Sequence, residues 1–196
     1  GGHPVELSPL VKLCKTKKIA LIEDCAHACG SNYQGKHLGT FGLMGCFSFA
    51  AIKNLTTGDG GMIITRSRLL ADRLRRLRWS GISKDTWARN HGKTYSWEYE
   101  VTEVSGKHQM NDISAAIGLV QLKKLPRSNA ARAKLTRRYN LALQPFSWLT
   151  TPDLKSWATS SHHNYVIKVS PLIRDRLHNY LSAHGIATAV HYVPTH

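Results

Sequence analysis

An α/β domain with a mostly parallel sheet flanked by helices, followed by the start of a smaller α+β domain, is the fold this sequence predicts. Three observations predict it. Short apolar runs, "IALIED" (19–24), "CFSFAAI" (46–52) and "GMIIT" (61–65), have strand length and lie between stretches whose apolar residues recur at helical spacing. That alternation of strand and helix favours strands laid side by side by crossovers. A final β-α-β pattern, "HNYVIKV" (163–169), "PLIRDRLHNYLSAHG" (171–185) and "IATAVHYV" (186–193), restarts the alternation after a connection. The expected division is 1–145 for the larger domain and 146–196 for the smaller.

The elements follow in order. Residues 5–17 have helical periodicity, and "NYQGKHLG" (32–39) has the polar, Gly-containing character of a hairpin turn. "RSRLLADRLRRLRW" (66–79) is an amphipathic helix. Residues 80–109 are polar, aromatic and without clear period, so they form a long excursion, and loops of that length are usually functional or mobile. "MNDISAAIGLVQLKKL" (110–125) is a helix with Asn111 or Asp112 as its cap. Pro126 interrupts it, and the helical pattern resumes to Gln144. "PFSWLTTPDLKS" is a connection, and Gly185 ends the last helix.

Composition narrows the function. With 42% apolar residues in 196, the chain can bury a core, and no apolar run is long enough to cross a bilayer. The start, "GGHPVELSPL", lacks a basic leader and an apolar segment, so no secretory signal is expected. Cys14, Cys25, Cys29 and Cys46 form no CxxC pair, which suits small packing residues in a reducing, cytoplasmic setting. No metal is expected. A net charge of +15 attracts anions, whether nucleic acid, nucleotides or phosphates. The basic residues are dispersed apart from "RLRRLRWSGISK", and no zinc-finger, RNA-binding or basic-zipper pattern accompanies them. A solvated helix face explains that run better than a nucleic-acid site.

One constellation carries chemistry. Open α/β sheets present functional residues at the C-terminal ends of their strands. Asp24 follows "IALIE", Lys53 follows "CFSFAAI", Ser48 lies within that run, and His27 is three residues past Asp24. A deprotonated lysine amine forms a Schiff base with an aldehyde. Pyridoxal phosphate (PLP) needs such a lysine, an acid beside its ring nitrogen and donors for its phosphate. Lys53, Asp24 and Ser48 supply one of each, and His27 suits the ring hydroxyl. By residue type alone, Asp24 could equally cap a helix and Ser48 could equally be packing.

The block "IEDCAHACGSNYQGKHLGTFGLMGCFSFAAIKNLTTGDGGMIIT" resembles the signature of the PLP-dependent nucleotide-sugar aminotransferases, the DegT/DnrJ/StrS group. The likeness continues through "HQMNDISAAIGLVQLKKL", "HNYVIKV" and "GIATAVHYVPTH", so it covers nearly the whole chain. The resemblance implies a fold-type-I PLP enzyme. It makes Lys53 the Schiff-base lysine, Asp24 the partner of the pyridine nitrogen, His27 the residue at the cofactor hydroxyl and Ser48 a phosphate ligand. His191 and His196 match a motif at the substrate entrance, although a strand-end histidine without a role fits them as well. The implied reaction moves an amino group, from glutamate, onto the keto-sugar of a nucleotide-sugar, for amino-sugar and polysaccharide biosynthesis. The implied assembly is a homodimer with shared active sites, without membrane or nucleic acid.

Two departures stand out. Where family members often carry Asn-Tyr-Arg, with the Asn reaching the neighbouring subunit's cofactor phosphate, this chain has Lys107-His108-Gln109. A lysine meets a phosphate as a point charge. Lys107 is therefore either that contact or a solvated loop residue. The chain also starts after the family's opening phosphate-binding segment and stops at His196, so the expectation is a truncated chain, inactive alone. Two other readings predict different behaviour. A basic nucleic-acid-binding protein predicts salt-sensitive binding to DNA or RNA. Sugar-dehydrating relatives carry histidine at the position of Lys53, and the lysine argues against that chemistry.

Overall fold

The structure, a computed structural model, describes residues 1–83 and 97–192. The chain forms two compact units, one from Gly1–Lys134 with Leu154–Asn164 and the other from Leu135–Asp153 with the chain from Tyr165 onward.

The first unit is built on a three-stranded sheet of β1 (Ile22–Asp24), β4 (Met44–Ser48) and β5 (Gly61–Thr65), in the order β1-β4-β5. β1 and β4 are parallel, in register Ile22 with Met44 and Asp24 with Cys46. β4 and β5 are antiparallel, from Met44 with Thr65 to Ser48 with Gly61. The α/β class holds, and this sheet mixes one parallel and one antiparallel pair. The hairpin expected at 32–39 is present as β2 (Asn32–Tyr33) and β3 (Lys36–His37). A third strand that periodicity did not show, β7 (Ala158–Thr159), joins it on β2.

Helix α1 (Leu7–Thr16) buries only Leu7. That leucine joins Cys25, Ala28, Tyr33 and Leu38 in one core cluster, flanked by Phe41, Phe47 and Trp157. Phe49, Leu55 and Leu125 form a second cluster, with Met110 and Phe47 against it. Helix α2 (Arg68–Leu77) starts at Ser67, whose hydroxyl accepts from the Leu70 amide at 3.3 Å.

Helix α3 (Asp112–Leu143) is capped by Asn111, whose Oδ1 accepts from the Ser114 amide at 2.8 Å. It runs unbroken through Pro126, which corrects the expected interruption. An interior proline costs about 3 kcal/mol in an exposed helix. Pro126 is exposed, and Leu125 beside it is 6% exposed among Phe49 and Leu55, so the packing of Leu125 holds the helix there.

The second unit contains β6 (Leu149–Thr150) antiparallel to β8 (Lys168–Val169), and α4 (Pro171–Ala183). Gly185, at φ +74°, closes α4 with bonds from its own amide to Ser182 O and from the Ile186 amide to Leu181 O. Two sequence expectations are corrected here. The strand expected over 163–169 is only Lys168–Val169, and residues 186–192 form no strand. Apolar alternation needs a partner ladder to become a strand, and no described strand pairs with 186–192. Residues 84–96 of the expected excursion, with Trp87 and Tyr95, lie outside the described residues. Its two ends run together, with bridges Trp79–Lys107 and Ile82–Val101.

A carboxylate ties the sheet to its loops. Glu23, in the middle of β1, is 7% exposed. Its Oε2 accepts from the Gly39 amide at 2.6 Å, and its Oε1 accepts from the Phe41 and Gly42 amides at 2.7 Å each. Gly45, its neighbour on β4, has no room for a side chain, because a Cβ there would meet the Gly39 backbone. Replacing Glu23 with Gln keeps the shape but removes the charge and turns an amine toward amide donors. Glu23→Gln should lower the unfolding free energy by about 2 kcal/mol, the scale of hydrogen bonds to a charged group. Urea denaturation of both proteins checks it.

Candidate active site

Side chains alternate across a strand, so Glu23 and Asp24 point to opposite faces of the sheet. Glu23 faces the Gly39–Gly42 loop, and Asp24 faces the other side. The parallel register sets Asp24 beside Cys46, and Ser48 lies two residues further along the same face of β4. Asp24 and Ser48 thus share the C-terminal edge of neighbouring parallel strands.

Beyond β1 the chain turns at once. Asp24 Oδ1 accepts from the Ala26 amide at 3.0 Å, and the Ala28 amide donates to Cys25 O at 2.9 Å. This turn opens a cleft of about 220 Å³ lined by Gly1, Gly2, His3, Asp24, Ala26, His27 and Ala28. The Asp24 carboxylate is exposed there, available to a cationic group. Cys25, beneath it, has its thiol pushed up to about 12 by burial first and then by Glu23 and Asp24. It stays protonated and packs as an apolar residue, so this cleft has no cysteine nucleophile.

Lys53 does not end a strand. β4 stops at Ser48, and the rest of the apolar run forms a turn in which the Lys53 amide donates to Ala50 O at 3.0 Å and Ile52 is exposed. The cause is the partner strand: β5 begins opposite Ser48, and past the one bond from the Phe49 amide to Gly60 O at 2.9 Å the ladder does not continue along 50–52. Lys53 is half-buried in this turn and is among the charges acting on His163.

His163 and its surroundings are what sequence reasoning missed. The His27 ring lies on the His163 ring, with centroids 4.3 Å apart. His163 Nδ1 is 2.9 Å from Asn54 Oδ1, and Asn54 Nδ2 donates to Asn129 Oδ1 at 2.8 Å and to Ser161 O at 2.7 Å. Ser161 Oγ donates to His27 O at 2.7 Å. Burial, followed by His27, Lys53 and Arg132, lowers the His163 imidazole to about 4. The available signals were Asn54 directly after Lys53 and the polar cluster "SSHHN" (160–164) just ahead of an apolar run.

The structure therefore brings Asp24 and His27 to one cleft, Ser48 to the same sheet edge, and Lys53 within electrostatic range of the histidine beside His27. Lys107 sits with its Nζ 5.1 Å from the Trp79 ring. His191, in the second unit, is exposed with its ring edge-on to Tyr192. His196 lies outside the described residues. Among those residues, no cluster of His, Cys, Asp or Glu is arranged to hold a metal, and no helix is long and apolar enough to cross a membrane.

The fold is thus an α/β sheet with a carboxylate closing one strand and a lysine in the turn after its parallel neighbour. The profile of the DegT/DnrJ/EryC1/StrS aminotransferase family matches residues 1–196, and the chain belongs to that family. An uncharacterized protein of Methanocaldococcus jannaschii is 37% identical over 200 residues, covering 100% of this chain and 52% of that protein. The aminotransferase TlmJ from Streptoalloteichus hindustanus superposes with a TM-score of 0.89 at 36% identity, covering 100% of this chain and 51% of that one. PseC of Helicobacter pylori, an aminotransferase involved in pseudoaminic acid biosynthesis, gives 0.87 at 32% identity, with 97% and 50% covered. The chain spans about half the length of these relatives. Their shared architecture is the PLP-dependent fold type I.

The lowered His163 makes stability depend on pH. The unfolded chain binds a proton at this histidine near its ordinary 6.5, and the folded chain binds it only near 4. Between those values the unfolded state holds more protons, so stability is lost as pH falls through the window. Urea unfolding across that range should show the decline, and His163→Gln should flatten it.

Proposed function

We propose that this protein is, or forms part of, a PLP-dependent aminotransferase that transfers an amino group, from glutamate, to the keto-sugar of a nucleotide-sugar in amino-sugar and polysaccharide biosynthesis. The observation that carries the reading is the cleft at the end of β1, where an exposed carboxylate and His27 meet and where Lys53 is among the charges acting on the Gly1 amino group in the lining. The residues fit the cofactor. Asp24 presents a carboxylate with one oxygen taken by a backbone amide, leaving charge for a protonated ring nitrogen. PLP supplies, when bound, an electron sink for the carbon that carries the amine.

The chain's own groups do the rest. Asp24 holds the proton on the ring nitrogen through its charge. His27 orients the ring by a hydrogen bond to its hydroxyl. Ser48 offers a hydroxyl to the phosphate. Lys53 Nζ would hold the cofactor covalently and would move a proton at the carbon that carries the amine. The basic surface suits a nucleoside diphosphate. His191 and His196 are assigned to the substrate entrance.

The proposed assembly is a cytoplasmic homodimer. Exposed apolar residues on α3 support it, among them Ile113 at 78% and Leu119 at 66%. Lys107 is assigned to the partner's cofactor phosphate. Its contact with Trp79 is a cation–π pair worth only about 0.5–1 kcal/mol at an exposed site, so the ammonium can leave it.

Adding PLP to the protein should give a visible absorbance band that borohydride fixes onto Lys53, identified by peptide mass mapping. Lys53→Ala should lose both the band and turnover; a label on another lysine would move the assignment. In the active enzyme, Asp24→Asn should lower turnover by about a hundredfold, the effect of one well-placed electrostatic group. Steady-state kinetics with a keto-sugar nucleotide and glutamate reads that change.

A further inference from the structure

The amides around His163 have a fixed polarity. Asn129 Nδ2 donates to Cys29 O at 3.0 Å. A backbone carbonyl only accepts, so the Asn129 amine faces Cys29 and its Oδ1 faces Asn54. That oxygen accepts one hydrogen of Asn54 Nδ2 at 2.8 Å, and Ser161 O accepts the other at 2.7 Å. Two acceptors thus agree on the orientation of Asn54, and its Oδ1 is the atom 2.9 Å from His163 Nδ1. An amide oxygen cannot donate. The hydrogen on that bond therefore belongs to His163 Nδ1, and in the neutral ring Nε2 keeps its lone pair.

Charge around the ring supports the neutral form. Among the described residues, the titratable and charged groups that act on His163 are His27, Lys53, Arg132 and the Gly1 amino group. All four are cations or bases, so a proton on Nε2 would meet repulsion from them. His163 as a residue is 9% exposed, which reduces the compensation of water.

We propose that Asn54 and Asn129 are positioning residues that hold His163 as its Nδ1–H tautomer, making it the fixed, uncharged wall on which His27 is set beside Asp24. The functional consequence rests on the reading of His27 as the partner of the cofactor hydroxyl. A neutral wall leaves His27 able to hold or release a proton at that oxygen. A charged wall 4.3 Å away would oppose a second cation. Asn54 follows Lys53 directly, so the same turn that presents the amine also orders the histidine pair.

Nitrogen-15 NMR of the imidazoles in the cofactor-free protein tests the tautomer, with the His163 signal assigned by its loss in His163→Gln. The expected result at neutral pH is a protonated Nδ1 and a bare Nε2. Asn54→Leu removes the acceptor and should return His163 to the Nε2–H form that free imidazole side chains prefer. Asn54→Asp keeps an acceptor, adds a negative charge and should raise the His163 titration by about one unit or more. An Nε2–H tautomer in the unaltered protein, or an unmoved titration in Asn54→Asp, overturns the proposal. PLP affinity, read by absorbance titration, should fall about tenfold in Asn54→Leu, the low end for groups that orient a ligand's direct partners. Unchanged affinity with a switched tautomer overturns the positioning role. The tautomer is read without cofactor, so a protein that bound no PLP would contradict the proposed function and leave the tautomer assignment to its own result.

Discussion

The Glu23 carboxylate is the interaction on which the rest of the first unit depends. A buried charge is tolerated only when its lone pairs are met, and three backbone amides of one short loop meet them. The loop from Gly39 to Gly42 connects the hairpin to β4, so anchoring it to β1 sets where β4 starts. The parallel register of β1 and β4 follows, with Gly45 bare opposite Glu23 because the loop backbone occupies its face. Once Glu23 is directed to that loop, alternation sends Asp24 to the opposite face, where the cleft lies.

A second polar system holds the other side of the cleft. Asn54, Asn129, Ser161 and His163 come from three separate stretches of the chain, and each amide or hydroxyl uses a backbone carbonyl or a neighbouring side chain to fix its direction. Such a network is worth most when every member is satisfied, because low dielectric strengthens the bonds and punishes a gap. It also explains how a turn, rather than a strand end, can place Lys53. The turn is tied through Asn54 to α3 at Asn129 and to the segment around Ser161, so its position does not rely on a ladder.

The family assignment and this geometry support each other at different levels. The likeness to aminotransferases covers the whole chain. The structure shows which of the candidate residues are close: Asp24 and His27 line one cleft, Ser48 shares the sheet edge, and Lys53 acts electrostatically on the histidine whose ring lies tilted against His27.

The sequence by itself determined the helices, the hairpin, β5 and the α/β class, because periodicity, caps and turn residues are local signals. Asn111 and Gly185 mark helix ends by a capping side chain or by the lack of one. Other features depended on partners far along the chain. The end of β4 at Ser48 was set by where β5 begins. The continuity of α3 across Pro126 came from packing around Leu125. The run at 186–192 showed the alternation of a strand but has no described neighbour to pair with. The role of Glu23 was invisible, since an acid after an apolar run reads as exposed until the loop amides that surround it are known. Asn54 and His163 are 109 positions apart, and only tertiary structure could bring them to 2.9 Å. Hydrogen-bond polarity passes through such contacts, so the state of the histidine beside the cleft was decided by the fold.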